Sequence, residues 1–238
     1  RMLWLVNQLL DFNKLENDTL KLQVKPIDLI TQLRNLTDIF RVTANEKGVT
    51  FRTYGLEDSL TIWADEDMLD KICFNLLSNA MKFTPAGGKV EFGLDVISRE
   101  EALKFFDLGD KDVDSRYMKV VVKDTGPGIP ENQLERIFDR YYQLENQMRG
   151  VYNWGTGIGL YFAKTLARMH HGYLKAGNRD EGTGAAFTLL LPISESSYAD
   201  SEKVQLEVKD GNCPYIVSSV KYTDLPSSIS DEGRKKVL

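Results

Sequence analysis

Leu3, Val6, Leu9, Leu10 and Leu15 follow a helical period from the first residues, and the pattern gives out at the polar stretch 16–19. It predicts a helix stub. Alternation at Leu20, Leu22 and Val24 predicts a short strand. Asp28 then stands where a helix needs a cap, and Leu29, Leu33, Leu36, Ile39 and Phe40 carry the apolar face of a helix that ends at Gly48. Two β-rich runs follow, at 49–54 and 60–63. Asp65 precedes a second helix, with Leu69, Ile72, Cys73, Leu76 and Ala80 on one face and a stop at 85–88.

The runs 90–97 and 117–123 are rich in strand formers and read as central strands. The polar insertion between them, 98–116, is long enough for a helical turn or two. From Phe138 to Gly159 neither period holds, which is the pattern of a lid over a site or of a disordered segment. Leu160, Ala163, Leu166 and Met169 predict a third helix, and 173–176 and 185–192 complete the sheet. Beyond Ser194 the chain turns rich in Ser and Asp, as a linker does. Strands interleaved with helices predict an α/β (α+β) two-layer sandwich, a mixed β-sheet with helices over one face.

Composition narrows this picture only slightly. The 238 residues, 42% hydrophobic and 27% charged, are those of a folded chain of one or two domains. A net charge of −5 gives no general basic footprint for nucleic acid. The two cysteines, Cys73 in an apolar helical pattern and Cys213 in a polar tail, form no disulfide framework. No apolar run approaches the roughly 18 residues of a membrane span. The chain opens at Arg1, partway through an amphipathic pattern, and so reads as a fragment of something larger.

Candidate chemistry starts on the second helix. Asn75, Asn79 and Lys82 lie at i, i+4 and i+7, which at about 100° per residue forms one polar stripe. Such a stripe borders a cleft or is an ordinary solvated face. A strand then ends abruptly in DTGPGIP, 124–130, where Gly126 and Gly128 let the backbone approach a flat ligand and Asp124 can accept from an amine. A purely structural turn would read the same, and a dinucleotide fingerprint is excluded because its third glycine is missing. GTGIGL, 155–160, leads into the third helix and would present backbone N–H groups to an anion. No GxxxxGK[ST] motif occurs. GTGAAF, 182–187, enters the last strand.

The order of these segments is more specific than any one of them. NLLSNAMKFT, 75–84, resembles the asparagine box of sensor histidine kinases. DTGPGIP, FDRYYQ (138–143), GTGIGL and GTGAAF resemble the glycine and phenylalanine boxes that follow it. The resemblance covers about 20–192, and LLDFNKLE before it is similar to the end of the family's dimerisation helix.

This resemblance implies a Bergerat-type fold and three regions: 1–19, the end of the dimerisation helix; 20–194, the catalytic ATP-binding domain; and 195–238, a linker toward a receiver domain. It implies ATP and Mg²⁺ as cofactors. Asn79 would hold the magnesium, Asn75 and Lys82 would lie near the phosphates, and Phe83 by the sugar or base. Asp124, Gly126, Gly128, Ile129 and Thr183 would frame the adenine. Tyr142, Gly155, Thr156, Gly157, Ile158, Gly159 and Leu160 belong to the implied lid and phosphate end. The implied reaction is γ-phosphoryl transfer to a histidine on a separate dimerisation domain, by positioning and charge neutralisation. Asn75, Lys82, Arg140 and Arg149 are the implied catalytic residues.

The resemblance also has departures. Many family members place a basic residue after the paired aromatics where this chain has Gln143, so Arg140 and Arg149 become the candidate cations for the γ-phosphate. His170 and His171, the two histidines, end a helix and lack the acceptor motif, and they read as structural. Ser230 to Gly233 followed by RKKVL is similar to the entry of a receiver domain, which implies a hybrid kinase. The family setting is the cytoplasmic part of a membrane-anchored bacterial receptor. Two other readings stay open: an ATP-driven conformational switch of the same superfamily, and a nucleotide sensor that does not transfer phosphate.

Overall fold

A computed structural model describes residue 15, residue 17 and residues 19–109, 114–143 and 157–204. The stub before residue 15, the segment 144–156 and the tail after 204 therefore lie outside the described residues, and with them Arg149, Gly155 and Thr156.

The long elements follow the apolar spacing. Helix α1 (Leu29–Lys47) starts on Asp28, which accepts from the Thr31 N–H at 3.2 Å, and stops at Gly48 in the left-handed region (φ 68°). Helix α2 (Glu66–Phe83) starts on Asp65, which accepts from the Met68 N–H at 3.1 Å. The insertion contributes one short helix, α3 (Arg99–Ala102), with a Ser98/Glu101 capping box, and helix α4 (Gly159–Met169) follows the segment 144–156.

Strands β2 (Thr50–Tyr54), β4 (Lys89–Ser98), β5 (Arg116–Asp124), β6 (Tyr173–Asn178) and β7 (Ala185–Pro192) form one sheet in the order β2-β4-β5-β7-β6. The β2–β4 pair is parallel and the others antiparallel, so the sheet is mixed, with β4 and β5 inside it as the sequence predicts. Strands β1 (Lys25–Asp28) and β3 (Thr61–Ala64) make a separate antiparallel pair.

Inward residues of the sheet, among them Val90, Phe92, Val120, Val122, Phe187 and Leu189, share one core with the apolar faces of α1, α2 and α4. A second, smaller core lies on the opposite face, where Ala102, Phe106 and Leu108 of the insertion pack on Ile97, Tyr117 and Leu190. Alternate residues of β7, Leu189 and Leu190, thus enter different cores, as the pleat requires.

Three expectations change. Leu22 and Val24 are buried as their alternation implies, but among the described residues no strand ladder forms before Lys25; Val24 makes an isolated bridge to Lys203 and the Gln23 N–H donates to Asp65. Ile39 is 52% exposed, because it sits about 90° around α1 from the centre of the face bearing Leu29, Leu33, Leu36 and Phe40. The stretch 195–204, expected from its composition to begin a linker, packs on the domain. Tyr198 is buried, and Asp114 accepts from the Ile193 and Ser194 N–H groups and the Ser194 and Ser197 hydroxyls. Burial opposes the charge on Asp114, but these bonds and one from the Arg116 N–H outweigh it and hold the carboxyl below its ordinary range.

Candidate functional site

Helix α2 is the floor of the site. Its C-terminal carbonyls at Met81 and Lys82 accept from the Lys47 ammonium at the end of α1, and burial lowers the Lys47 pKa. Thr84 closes the helix by donating its hydroxyl to the Ala80 carbonyl at 2.7 Å. The adjoining loop is tied on both sides: the Gly87 N–H donates to the Gly48 carbonyl, and Lys89 and Thr125 exchange two bonds of 2.8 and 3.0 Å.

The polar stripe of α2 is not uniform in burial. Asn75 is only 4% exposed; its amide donates to the Lys71 carbonyl at 2.8 Å, and its Oδ1 would lie 2.8 Å from a Cβ placed on Gly159. Asn75 therefore packs against the start of α4, and a side chain at 159 would collide with it. Asn79 is half-buried, one turn further along. Lys82 is half-buried too, with its ammonium 4.7 Å from the centre of the Phe83 ring and its pKa lowered by burial. Phe83 is 40% exposed.

Beyond Phe83 the helix meets the DTGPGIP loop. A Cβ on Gly126 would stand 2.9 Å from the Phe83 carbonyl and 2.8 Å from Asp124 Oδ1, so only glycine fits there. Asp124, at the end of β5, is 4% exposed. Its Oδ1 accepts both the Gly126 N–H at 2.8 Å and the Ala185 N–H at 3.3 Å, which leaves Oδ2 for a ligand. Burial raises the Asp124 pKa; those two bonds and the nearby Arg179 charge oppose the rise. Gly128 takes φ 76°, and the loop is fixed by Asn178, which accepts from the Ile129 N–H at 2.8 Å and donates to the Ile129 carbonyl at 2.7 Å. Ile129 is buried in the main core.

At the other end, α4 begins at Ile158 with no side-chain cap and no acidic residue in its first turn. Its N-terminal N–H groups and the positive end of its dipole therefore suit an anion. Gly157 (φ 70°) accepts from the Tyr141 N–H through its carbonyl, and a Cβ there would strike the Tyr141 backbone. Ile158, Leu160 and Tyr142 pack against the core, and the Arg136 guanidinium stands 4.8 Å over the Tyr142 ring.

The structure also places two further residues that the sequence singles out. Thr183 is exposed on the β6–β7 turn, and the residues that reach Asp124 are the next two: Ala185 through its N–H, and Gly184, where a Cβ would collide with the Asp124 carbonyl oxygen. The turn leaves Thr183 outside and brings the following residues in. Arg140 donates to the Tyr161 hydroxyl at 2.8 Å and lines a groove of about 470 Å³ with Arg136, Lys164 and Arg168; neither Asn79 nor Asp124 lines it. Asn178 and Arg179 do not stand out in the sequence. The one signal it offers is their position just before the small-residue run 182–187.

Among the described residues no cluster of three or more His, Cys, Asp or Glu could hold a metal ion, and no helix is long and apolar enough to cross a membrane. His170 is fully buried: Nδ1–H donates to the Leu166 carbonyl at 3.0 Å and Nε2 accepts the Asp65 N–H at 3.1 Å.

A family model described as "Histidine kinase-, DNA gyrase B-, and HSP90-like ATPase" matches residues 64–195, more than half of the chain. Hybrid signal transduction histidine kinase D of Dictyostelium discoideum is 34% identical over 90% of this chain and 13% of its own length. Sensor histidine kinase TmoS of Ectopseudomonas mendocina is 34% identical over 98% of this chain and 23% of its own length. The chain thus spans less than a quarter of either relative. Among solved structures, full-length ShkA in complex with AMPPNP is 29% identical over 81% of this chain and 36% of that one, with a TM-score of 0.63. The mixed five-stranded sheet and its helices agree with that likeness, and the chain belongs to the histidine kinase-, DNA gyrase B- and HSP90-like ATPase family, its relatives here being histidine kinases.

Proposed function

We propose that this chain is the ATP-binding catalytic domain of a sensor histidine kinase, which hands the γ-phosphoryl group of ATP to a histidine on a separate dimerisation domain. The observation that carries the reading is the double contact of α2. Asn75 meets the start of α4 while Phe83 meets the Asp124 loop, and Asn79 lies between them. One helix thereby spaces a buried carboxylate from an anion-ready helix start. The solved relative that holds AMPPNP supports a nucleotide along this line.

Asp124 Oδ2 accepts from the amine of adenine in this reading. Guanine would set a carbonyl oxygen against the carboxylate, and a buried acceptor facing an acceptor is costly. Gly126 and Gly128 keep side chains out of the base plane, and Ile129 with Phe83 supplies apolar contact. The N–H groups at the start of α4, with Gly155, Thr156 and Gly157, hold the phosphates. Asn79 is the protein ligand for Mg²⁺, and a single neutral ligand suits an ion that keeps most of its waters. Bound there, the magnesium nucleotide supplies the transferable phosphoryl group with part of its charge neutralised. Lys82, Arg140 and Arg149 are the cations available to the γ-phosphate. The acceptor histidine comes from the dimerisation domain in this reading, since His170 is buried with both ring nitrogens bonded and His171 is engaged by Glu202 at 2.9 Å. The setting we propose is a cytoplasmic kinase segment of a receptor, with a receiver domain further along the chain.

The test is transfer. With γ-labelled ATP, Mg²⁺ and the dimerisation domain of the same receptor, acid-labile phosphate is expected on that domain and not on this chain. Arg140→Ala or Arg149→Ala is expected to slow it. Label on this chain's own histidines would contradict the proposal, and ATP binding without transfer would make the domain a nucleotide sensor.

A further inference from the structure

Arg179, on the turn between β6 and β7, has a guanidinium nitrogen, Nη1, that is buried and has no hydrogen-bond partner among the described residues. A buried charged donor without a partner is costly unless an opposite charge compensates it. The turn that carries Arg179 also reaches the end of β5, where the buried carboxylate of Asp124 supplies an opposite charge at longer range than an ion pair. The Arg179 side chain lies over Gly184, where a Cβ would stand 2.9 Å from Arg179 Cδ and collide with the Asp124 carbonyl oxygen. Gly184 at φ 134° gives both the room and the turn, and the Arg179 N–H donates to the Gly184 carbonyl at 3.0 Å.

Among the described residues, the other elements around Asp124 bring no charge to its carboxylate. Strand β4 opposes it with Val90, α2 offers the Phe83 carbonyl and β7 the Ala185 N–H. Lys123 precedes Asp124 in β5 and points to the other face by the pleat, and Lys89 meets Thr125 through its backbone. Of the described charged side chains, Arg179 is the one that acts on the Asp124 ionisation.

We propose that Arg179 is a positioning residue for the base end of the site: its side chain, laid over Gly184, brings a positive charge near enough to keep Asp124 an ionised acceptor in spite of its burial. The inference rests on the nucleotide reading and adds a residue to it. An uncompensated Asp124 would take up a proton more readily, and a protonated carboxyl would present a donor to the amine. Arg179 thereby sets the lowest pH at which the base is held.

ATP binding measured from pH 8 to pH 5 tests this in the wild type, Arg179→Met and Arg179→Lys, with thermal melting at each pH to confirm folding. Because removing the cation raises the Asp124 pKa further, Arg179→Met should match the wild type at pH 8 and weaken earlier on acidification, by about fivefold relative to the wild type at pH 5. Arg179→Lys should restore the wild-type profile. Superimposed profiles for the wild type and Arg179→Met would overturn the inference, as would an equal loss at every pH. A folded wild type that binds no ATP even at pH 8 would instead overturn the nucleotide reading on which it rests.

Discussion

His170 is buried yet bonded at both ring nitrogens, and so joins the end of α4 to the start of α2. Burial pushes its pKa below the ordinary 6.5. The unfolded chain therefore binds a proton more readily than the folded one. The stabilisation is complete above about pH 6.5 and is lost as pH falls from there toward the folded pKa. Melting of the wild type should drop between pH 7 and pH 5. His170→Gln, which can supply one donor and one acceptor, should melt lower at pH 7 but show a shallower slope; equal slopes would contradict the assignment. The sequence reads His170 as structural from its helix-end position, and that holds. It does not reveal the Asp65 contact, which joins residues 105 apart. The sequence marks Asp124 as a strand-end carboxylate before alternating glycines, and the structure buries it there with Oδ1 accepting from the Gly126 and Ala185 N–H groups. A run of small residues does not say which member faces the carboxylate: Ala185 does so through its N–H, while Thr183 is exposed.

At the level of elements, caps and apolar periods were the readable part. Asp28, Asp65 and Gly48 mark their helix ends where the sequence sets them. Periodicity was weaker as a guide to burial at Ile39, since an apolar residue beside a stripe is counted with it. Loops are fixed by single polar side chains from distant strands, which a sequence does not pair. Asn178 is the clearest case, with two bonds pinning Ile129 in the DTGPGIP loop. Asn178→Ala should cost about 1–3 kcal/mol by leaving the Ile129 N–H and carbonyl without that partner. Denaturant unfolding reads the loss, and ATP affinity should fall with it. Unchanged stability would show that the loop holds itself.

For the molecule as a whole, the layered α/β architecture was legible from the alternation of strands and helices, and the mixed order β2-β4-β5-β7-β6 was not. Pairing depends on contacts between residues far apart, such as Val90 with Asp124 or Val122 with Phe187. The end of the domain was also hidden, because 195–204 is polar in composition yet buries Tyr198 and satisfies Asp114. A chain ending after Val204 should melt like the longer one, whereas one ending after Ser194 should melt at least about 5 °C lower. Equal melting of the two would return those residues to the linker. The central claim is that the α2 floor and the Asp124 loop make a nucleotide site, and calorimetric titration of ATP with and without Mg²⁺ tests it most directly in the wild type and Asp124→Asn. Asparagine preserves the Oδ1 bonds to Gly126 and Ala185 while replacing the second oxygen by a donor. Magnesium-dependent binding that weakens about tenfold or more in Asp124→Asn is the expected result; equal affinity in the variant, or no binding by the folded wild type, would contradict it.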